Sequence, residues 1–373
     1  MPRVKVLFKM FYLYHKAAYD PLIKVFENDD RFDVYLSLTH EMTRRFYVFE
    51  VNRAKKYLRQ FKKEGHQIAD ESDKFDIVIC PDTVDENIFG KTMLCFVNHG
   101  TGIKNILYRK LREQRDTYYL FFVEGQYRVD ALEQSGALNN SEVFKVGLPK
   151  LDPLFTDGYY DREKILRSLG LDPAKKTVLF APTYKPTCVY DVKDAIFEAT
   201  IDYNLIIKLH HYAWMGKFAR HSQHYVIQQR LLTYDHATLI PKDDYNIIPF
   251  MSVADTLVSE ASSTVFDFLA TGKTGVIYDL PNEELTHDDG EPLLNIDNRK
   301  FLQESFVHVN SPEQLADGIN RALNPTDAMK AAAKKERDYY FTGLDGRASE
   351  RTRDTILRLY DEGTHFNIPG SAK

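Results

Sequence analysis

Ala254-Asp255-Thr256-Leu257-Val258-Ser259-Glu260-Ala261-Ser262-Ser263-Thr264-Val265-Phe266-Asp267-Phe268-Leu269-Ala270-Thr271-Gly272-Lys273 is the stretch on which the reading of the fold turns. An apolar run from Thr256 to Val258 gives way to three consecutive hydroxyl residues. A helical pattern follows, with Val265, Phe266, Phe268 and Leu269 able to face a core, and Gly272 stops it. Ser262 or Ser263 suits the N-cap, because a short hydroxyl side chain satisfies the orphan N–H groups of a first helical turn. The same arrangement can seat an anion, since free N–H groups, the helix dipole and the hydroxyls all favour a phosphate. An ordinary cap and a diphosphate seat are both compatible with this spacing.

Outward from that stretch, strand and helix signals alternate along the chain. Val4–Phe11, Phe32–Leu38, Phe75–Cys80, Met93–Asn98, Tyr118–Val123 and Val143–Val146 are apolar runs of strand length, with a helix expected over Ala17–Glu27 and a long basic, aromatic helix or helix pair over Glu41–Lys63. Gly147-Leu148-Pro149 breaks the pattern, and 150–160 reads as a linker. A second series brings strands at Thr177–Ala181, Asn204–Leu209, Ala237–Ile240 and Gly275–Tyr278, and helices at Arg162–Leu169, Val192–Thr200, Phe218–Leu232 and Ile247–Val253. Apolar runs with few alternating polar residues suit parallel sheets covered on both faces. The expectation is α/β: two doubly wound Rossmann-like domains, 1–155 and 161–345, facing a cleft, with the C-terminal segment 346–373 packing its helix back on the first.

The 373 residues suffice for about two domains. A 43% hydrophobic and 28% charged composition is that of a globular chain, and a net charge of −5 argues against a protein that coats nucleic acid. Cys80, Cys95 and Cys188 lack CxxC spacing and read as reduced core residues. No run approaches the ~20 apolar residues of a membrane span, and the N-terminus turns to strand too soon for a signal peptide. A cytoplasmic protein is expected, able to touch the inner face of the membrane.

Gly272-Lys273-Thr274 is no P-loop: Asp267 stands where the pattern needs glycine, and the lysine follows a helix. Gly100-Thr101-Gly102 begins a dinucleotide fingerprint that Asn105 ends. No HExxH, EF-hand or DxD pattern writes a metal site, which leaves room for a diffusely held Mg²⁺ but implies no cofactor. Four polar loops remain, each following an expected strand. The first holds His99 and Gly100 at the carboxyl edge where α/β sheets bind ligands, and a histidine there suits general-base work. The second, Ala181-Pro182-Thr183-Tyr184-Lys185, offers the Thr183 hydroxyl and the Lys185 cation to a phosphate. The third puts Lys208 and His210 on one face by strand alternation, where they could receive a diphosphate. The fourth holds Ser262, Ser263 and Thr264. Singly, each reads as a turn histidine, a solvated lysine or a cap; together they favour a phosphate-rich ligand.

The combination and order resemble the CDP-glycerol glycerophosphotransferases of teichoic acid and capsule synthesis. The resemblance rests on His99-Gly100 with Lys104, Gly147-Leu148-Pro149-Lys150-Leu151-Asp152, Ala181-Pro182-Thr183-Tyr184-Lys185, Lys208-Leu209-His210, Asp255 with Ser262-Ser263 and Phe266-Asp267, and Asp345-Gly346-Arg347-Ala348-Ser349 with Arg351. It departs where the family commonly has arginine (Lys150, Lys185), proline (His211), an Asp-Tyr pair (Glu260-Ala261) and tryptophan (Asn98). It implies a GT-B-like fold and an attack by an acceptor hydroxyl on the β-phosphate of a CDP-alcohol, with release of CMP. By that resemblance His99 and His210 are the catalytic pair: His99 is the base, and His210 with Lys208 stabilises the diphosphate and could act as general acid to the leaving CMP. Ser262, Ser263, Thr264, Thr183, Lys185 and Gly100 serve the donor, and Asp267 and Asp255 support. The acceptor would be a glycan or a lipid-linked molecule, with Lys104 and Arg109 on its side. The basic, aromatic residues of 43–65 could lie on an anionic bilayer, or form a solvated face whose aromatics pack on the sheet. Two competing readings are a GT-B nucleotide-sugar glycosyltransferase or epimerase, and a non-catalytic nucleotide- or polyanion-binding protein.

Overall fold

In the computed structural model, which describes residues 3–45, 49–70, 73–85, 92–139, 141–215, 223–281, 290–294 and 301–363, the chain forms two parallel sheets and a small hairpin. The first sheet contains β1 (Val4–Met10), β2 (Phe32–Leu38), β5 (Gln67–Ile68), β6 (Ile77–Cys80), β7 (Met93–Val97), β8 (Leu120–Val123) and β9 (Glu142–Lys145), in the spatial order β5-β2-β1-β6-β7-β8-β9. The second contains β10 (Thr177–Phe180), β11 (Asn204–Ile207), β12 (Ala237–Leu239), β13 (Thr256–Ser259), β14 (Gly275–Tyr278) and β15 (Val307–Val309), in the order β12-β11-β10-β13-β14-β15. Every neighbouring pair in both sheets is parallel. Each order runs outward one way, returns to the first strand and continues the other way, so each sheet has a topological switch point, beside β1 and beside β10.

The strands follow from their composition. β7, β10, β11, β13 and β14 are buried at every position, as expected where helices cover both faces. β2, near the edge, alternates instead. The core of the second sheet runs from Val178 and Phe180 through Ile207 and Val258 to Val276 and Val307.

The backbone divides into two compact units, Met1–Gly102 with Ile106–Phe155 and Phe341–Lys373, and Ile103–Asn105 with Thr156–Tyr340. In the first, the helix Ala348–Asp361 packs against the helix Leu13–Glu27 and against a 3-10 helix, Pro149–Phe155. Part of the expected linker is therefore ordered structure. Two other expectations need correcting. Glu41–Lys63 is not continuous helix: β3 (Met42–Arg45) and β4 (Phe49–Asn52) pair antiparallel before the helix Ala54–Lys63 begins. Val192–Thr200 is broken into two single turns, Val189–Val192 and Ala195–Glu198, with Lys193 at positive φ between them. Residues 46–48 of the basic segment and 218–222 of the helix expected over Phe218–Leu232 lie outside the described residues. Among the described residues no helix is long and apolar enough to cross a membrane.

Candidate active site

In the second unit, β11, β10 and β13 are adjacent and parallel, so the three polar loops that follow them share one sheet edge at the switch point. The β10 loop is latched from the β13 side. Buried Glu260 accepts the backbone N–H of Thr183 at 2.5 Å, that of Cys188 at 2.5 Å and the Thr187 hydroxyl at 3.3 Å. Burial raises the Glu260 pKa, and the two N–H groups oppose that rise. Thr183 is consumed by this arrangement, since its own hydroxyl donates to the Pro186 carbonyl across a cis Lys185-Pro186 bond. The expected phosphate partner is a loop-forming residue. Lys185 is exposed.

After β11 the ladder ends at Ile207, so strand alternation does not extend to His210. Lys208 still bonds Phe180 O through its N–H and is buried, and burial lowers its pKa to about 8 against the opposing pull of Asp244. His210 instead belongs to the turn into the helix Tyr212–Met215, where its Nδ1 accepts the Tyr212 N–H at 3.2 Å. A neutral imidazole accepting at Nδ1 carries its proton on Nε2, so His210 presents a donor. Its ring lies 4.5 Å from Tyr184. His211 is buried and held neutral, its pKa lowered to about 3 by desolvation, Lys208 and Lys242.

At the β13 edge Ser262 is the N-cap: its Oγ accepts the Thr264 N–H at 3.2 Å. Ser263 and Thr264 are half-buried in the first turn of the seven-residue helix Ser263–Leu269, and Asp267 is buried on it. Asp255 stands at the opposite, amino end of β13, where it accepts the Thr177 N–H at 2.7 Å and pairs with Arg162 at 2.9 Å. It holds β10 to β13 far from the loops. Lys104, expected with the acceptor residues, clusters with the second unit: it forms an isolated bridge to Leu294, and its ammonium lies 5.8 Å from the Tyr184 ring centre. The side chain keeps solvent access, yet surrounding protein lowers its pKa while Glu260 raises it.

In the first unit His99 follows β7 and is half-buried, its ring 4.7 Å from that of buried His15 and 5.3 Å from that of Tyr14. His15 Nδ1 accepts the N–H groups of Phe11 and Tyr12 at 3.2 and 3.3 Å, which places its proton, when neutral, on Nε2. Gly100 is buried and its carbonyl accepts from Arg128. Arg109 is half-buried on the helix Asn105–Glu113.

The model of the CDP-glycerol:poly(glycerophosphate) glycerophosphotransferases matches residues 91–358, most of the chain. The chain belongs to that family. Two teichoic acid enzymes of Bacillus spizizenii are each 22% identical to it: a poly(ribitol-phosphate) polymerase over 241 residues (59% of this chain, 34% of that protein) and a ribitol-phosphate primase over 270 residues (69% and 63%). The chain thus spans about a third of the one and under two thirds of the other. Among solved structures, the wall teichoic acid polymerase TagF superposes with a TM-score of 0.66 at 14% identity over 98% of this chain and 91% of that one. A putative UDP-N-acetylglucosamine 2-epimerase from Listeria monocytogenes gives 0.62 at 14% over 97% and 98%. The fold is GT-B-like.

Several residues that carry the resemblance to the glycerophosphotransferases turn out to be architectural. Asp152 accepts the N–H groups of Ala348 and Ser349 at 2.9 and 2.7 Å, capping the helix Ala348–Asp361. Arg351 donates to Val146 O at 2.9 Å, to Gly343 O at 2.6 Å and to both carboxylate oxygens of Asp345 at 2.8 Å. Gly147, at φ +92°, lies against Thr342 O and Ala348 Cβ, where a side chain would collide. The segments 147–152 and 345–351 are the two sides of one joint. Sequence reading missed Glu260 as a latch and missed Arg128, whose (i, i+4) spacing to Glu124 looks like an ordinary surface pair.

Proposed function

We propose that this chain transfers a polyol phosphate, glycerol phosphate in the first instance, from a CDP-alcohol to the hydroxyl of a glycan or lipid-linked acceptor in wall-polymer synthesis, releasing CMP. The observation that carries this reading is the edge formed after β11, β10 and β13. There a buried lysine, an imidazole with its donor on Nε2 and a hydroxyl-rich helix start follow strands of one sheet edge, a set of charge and donors that suits a diphosphate. The relatives named for ribitol phosphate and teichoic acid support the class of donor, and a histidine-to-asparagine variant of TagF is known after a soak with CDPG.

In the proposed reaction the acceptor oxygen attacks the β-phosphorus as the bond to the bridging oxygen breaks. The acceptor proton passes to His99, and CMP carries away the bridging oxygen. Such transfers depend on positioning and charge neutralisation more than on covalent help from the protein. Lys208 neutralises the diphosphate, and His210 donates through Nε2 to an oxygen that gains charge. Ser263 and Thr264 serve the phosphates beside the Ser262 cap, and Lys185 and Lys104 bring further cations. The helix Ala54–Lys63 exposes Lys55, Lys56, Arg59, Lys62 and Lys63 while burying Tyr57 and Phe61, so we propose that it meets an anionic bilayer by charge alone.

The deciding experiment is CMP release from CDP-glycerol and CDP-ribitol, with UDP-glucose and UDP-N-acetylglucosamine in parallel, each with and without a membrane-lipid acceptor. CMP release lost in His99→Asn supports the transferase. UDP release instead would replace it with a nucleotide-sugar enzyme, and nucleotide binding without turnover would make the chain a binding protein.

A further inference from the structure

The loop that carries His99 is held by a group outside the family motifs. Arg128, on the helix Gln126–Gln134, is buried, and so is its partner Glu124 at the end of β8. The two form a fork: Arg128 Nε donates to Glu124 Oε2 at 3.2 Å and Nη2 to Oε1 at 2.9 Å. The rest of the guanidinium faces the His99 loop. Nη2 also donates to Gly100 O at 3.0 Å, and Nη1 to the Tyr108 hydroxyl at 3.1 Å and, more weakly, to Gly102 O at 3.4 Å. The Tyr108 hydroxyl in turn donates to Gly102 O at 2.6 Å. A Cβ on Gly102 would overlap the guanidinium where it now stands, so a side chain there would displace Arg128. All these residues lie in the first unit.

A buried ion pair is poor evidence of stabilisation by itself, since desolvation offsets much of its attraction. Its geometry says more than its charge. Arginine's planar fork can grip a carboxylate with one edge and two loop carbonyls with the other, and a lysine cannot. In the loop between β7 and the helix Asn105–Glu113 the Gly100 and Gly102 carbonyls are fixed by this guanidinium and by Tyr108. We infer that Arg128, locked by Glu124 and seconded by Tyr108, is the positioning residue of the His99 loop, holding the imidazole where the acceptor proton must go.

This rests on the role proposed for His99, so the test has one readout that turnover does not decide. Arg128→Lys keeps the charge opposite Glu124 but loses the fork, and Tyr108→Phe keeps the packing and loses only the hydroxyl. In both, kcat for CMP release from CDP-glycerol should fall while the KM for CDP-glycerol stays at its wild-type value. A loss of about 100-fold is expected in Arg128→Lys, the scale of a 1 Å misplacement of a reacting group, and a smaller one in Tyr108→Phe. The His99 imidazole resonance, assigned by its disappearance in His99→Asn, should shift in both variants, with free guanidinium restoring part of the turnover of Arg128→Gly. The inference is overturned if folded Arg128→Lys and Tyr108→Phe match wild type in kcat and in the His99 resonance. It is equally overturned if turnover falls only in proportion to the folded fraction. Should the wild type release no CMP from any donor, the transferase reading fails alone, and the His99 resonance still decides the part played by Arg128.

Discussion

Lys208 shows what burial does to a single cation at the proposed donor edge. Its pKa is lowered to about 8, so the lone ammonium is half neutral in mildly alkaline solution. A diphosphate needs the charged form, and the affinity for CDP should therefore weaken by about tenfold per pH unit above about pH 8, a dependence that calorimetry would show and that Lys208→Met should abolish together with most of the affinity. Stability moves the other way. Below about pH 8 the folded chain carries the desolvated charge, and as pH rises toward 10.5 the unfolded chain holds a proton that the folded one has released, so folding gains. The ligand-free Lys208→Met variant should accordingly melt higher than wild type at neutral pH. A retained Tm with unchanged CDP affinity would remove Lys208 from the site. The lysine was visible in the sequence as a cation at a strand end; its burial was not, because Lys208-Leu209-His210 reads as alternation and the ladder stops one residue earlier. Glu260 was hidden for a related reason: an acidic residue after an apolar run looks solvated until the loop it latches is seen.

At the scale of elements, most strands were legible because full burial leaves no polar alternation to confuse with a helix. The hairpin of β3 and β4 was not, since a basic, aromatic stretch carries neither a clear period of two nor one of 3.6. The family motifs were legible as words and opaque as structure. Their dispersal hides that Asp152 and Ala348-Ser349 meet, 196 and 197 residues apart. Removing that cap in Asp152→Ala should cost about 1–2 kcal/mol, the usual worth of a side-chain N-cap. Thermal denaturation would measure it, and the donor affinity, proposed for the other unit, should not change. An unaltered Tm would mean that the helix Ala348–Asp361 needs no cap from Asp152.

For the molecule as a whole, the α/β class and its two doubly wound sheets follow from the order of apolar runs, whereas the charge distribution needed the structure. Five exposed cations on the helix Ala54–Lys63 project outward while Tyr57 and Phe61 face in, so an attraction to membranes would be purely electrostatic. At about 1 kcal/mol per basic residue near an anionic surface, binding to phosphatidylglycerol vesicles should be measurable at low salt and fade as salt is added. Replacing Lys55, Lys56, Arg59, Lys62 and Lys63 with glutamine should abolish it. Cosedimentation that ignores both salt and these substitutions would show that the surface lies elsewhere.

The joint between the 3-10 helix Pro149–Phe155 and the helix Ala348–Asp361 also sets an order of assembly. A ribosome delivers the whole of Thr156–Tyr340 before it delivers the helix that covers Leu13–Glu27. The unit that contains Thr156–Tyr340 can finish folding first, and the other stays open until Ala348–Asp361 has emerged. The carboxyl that closes it, Asp152, waits through all of that synthesis for the two N–H groups it will cap.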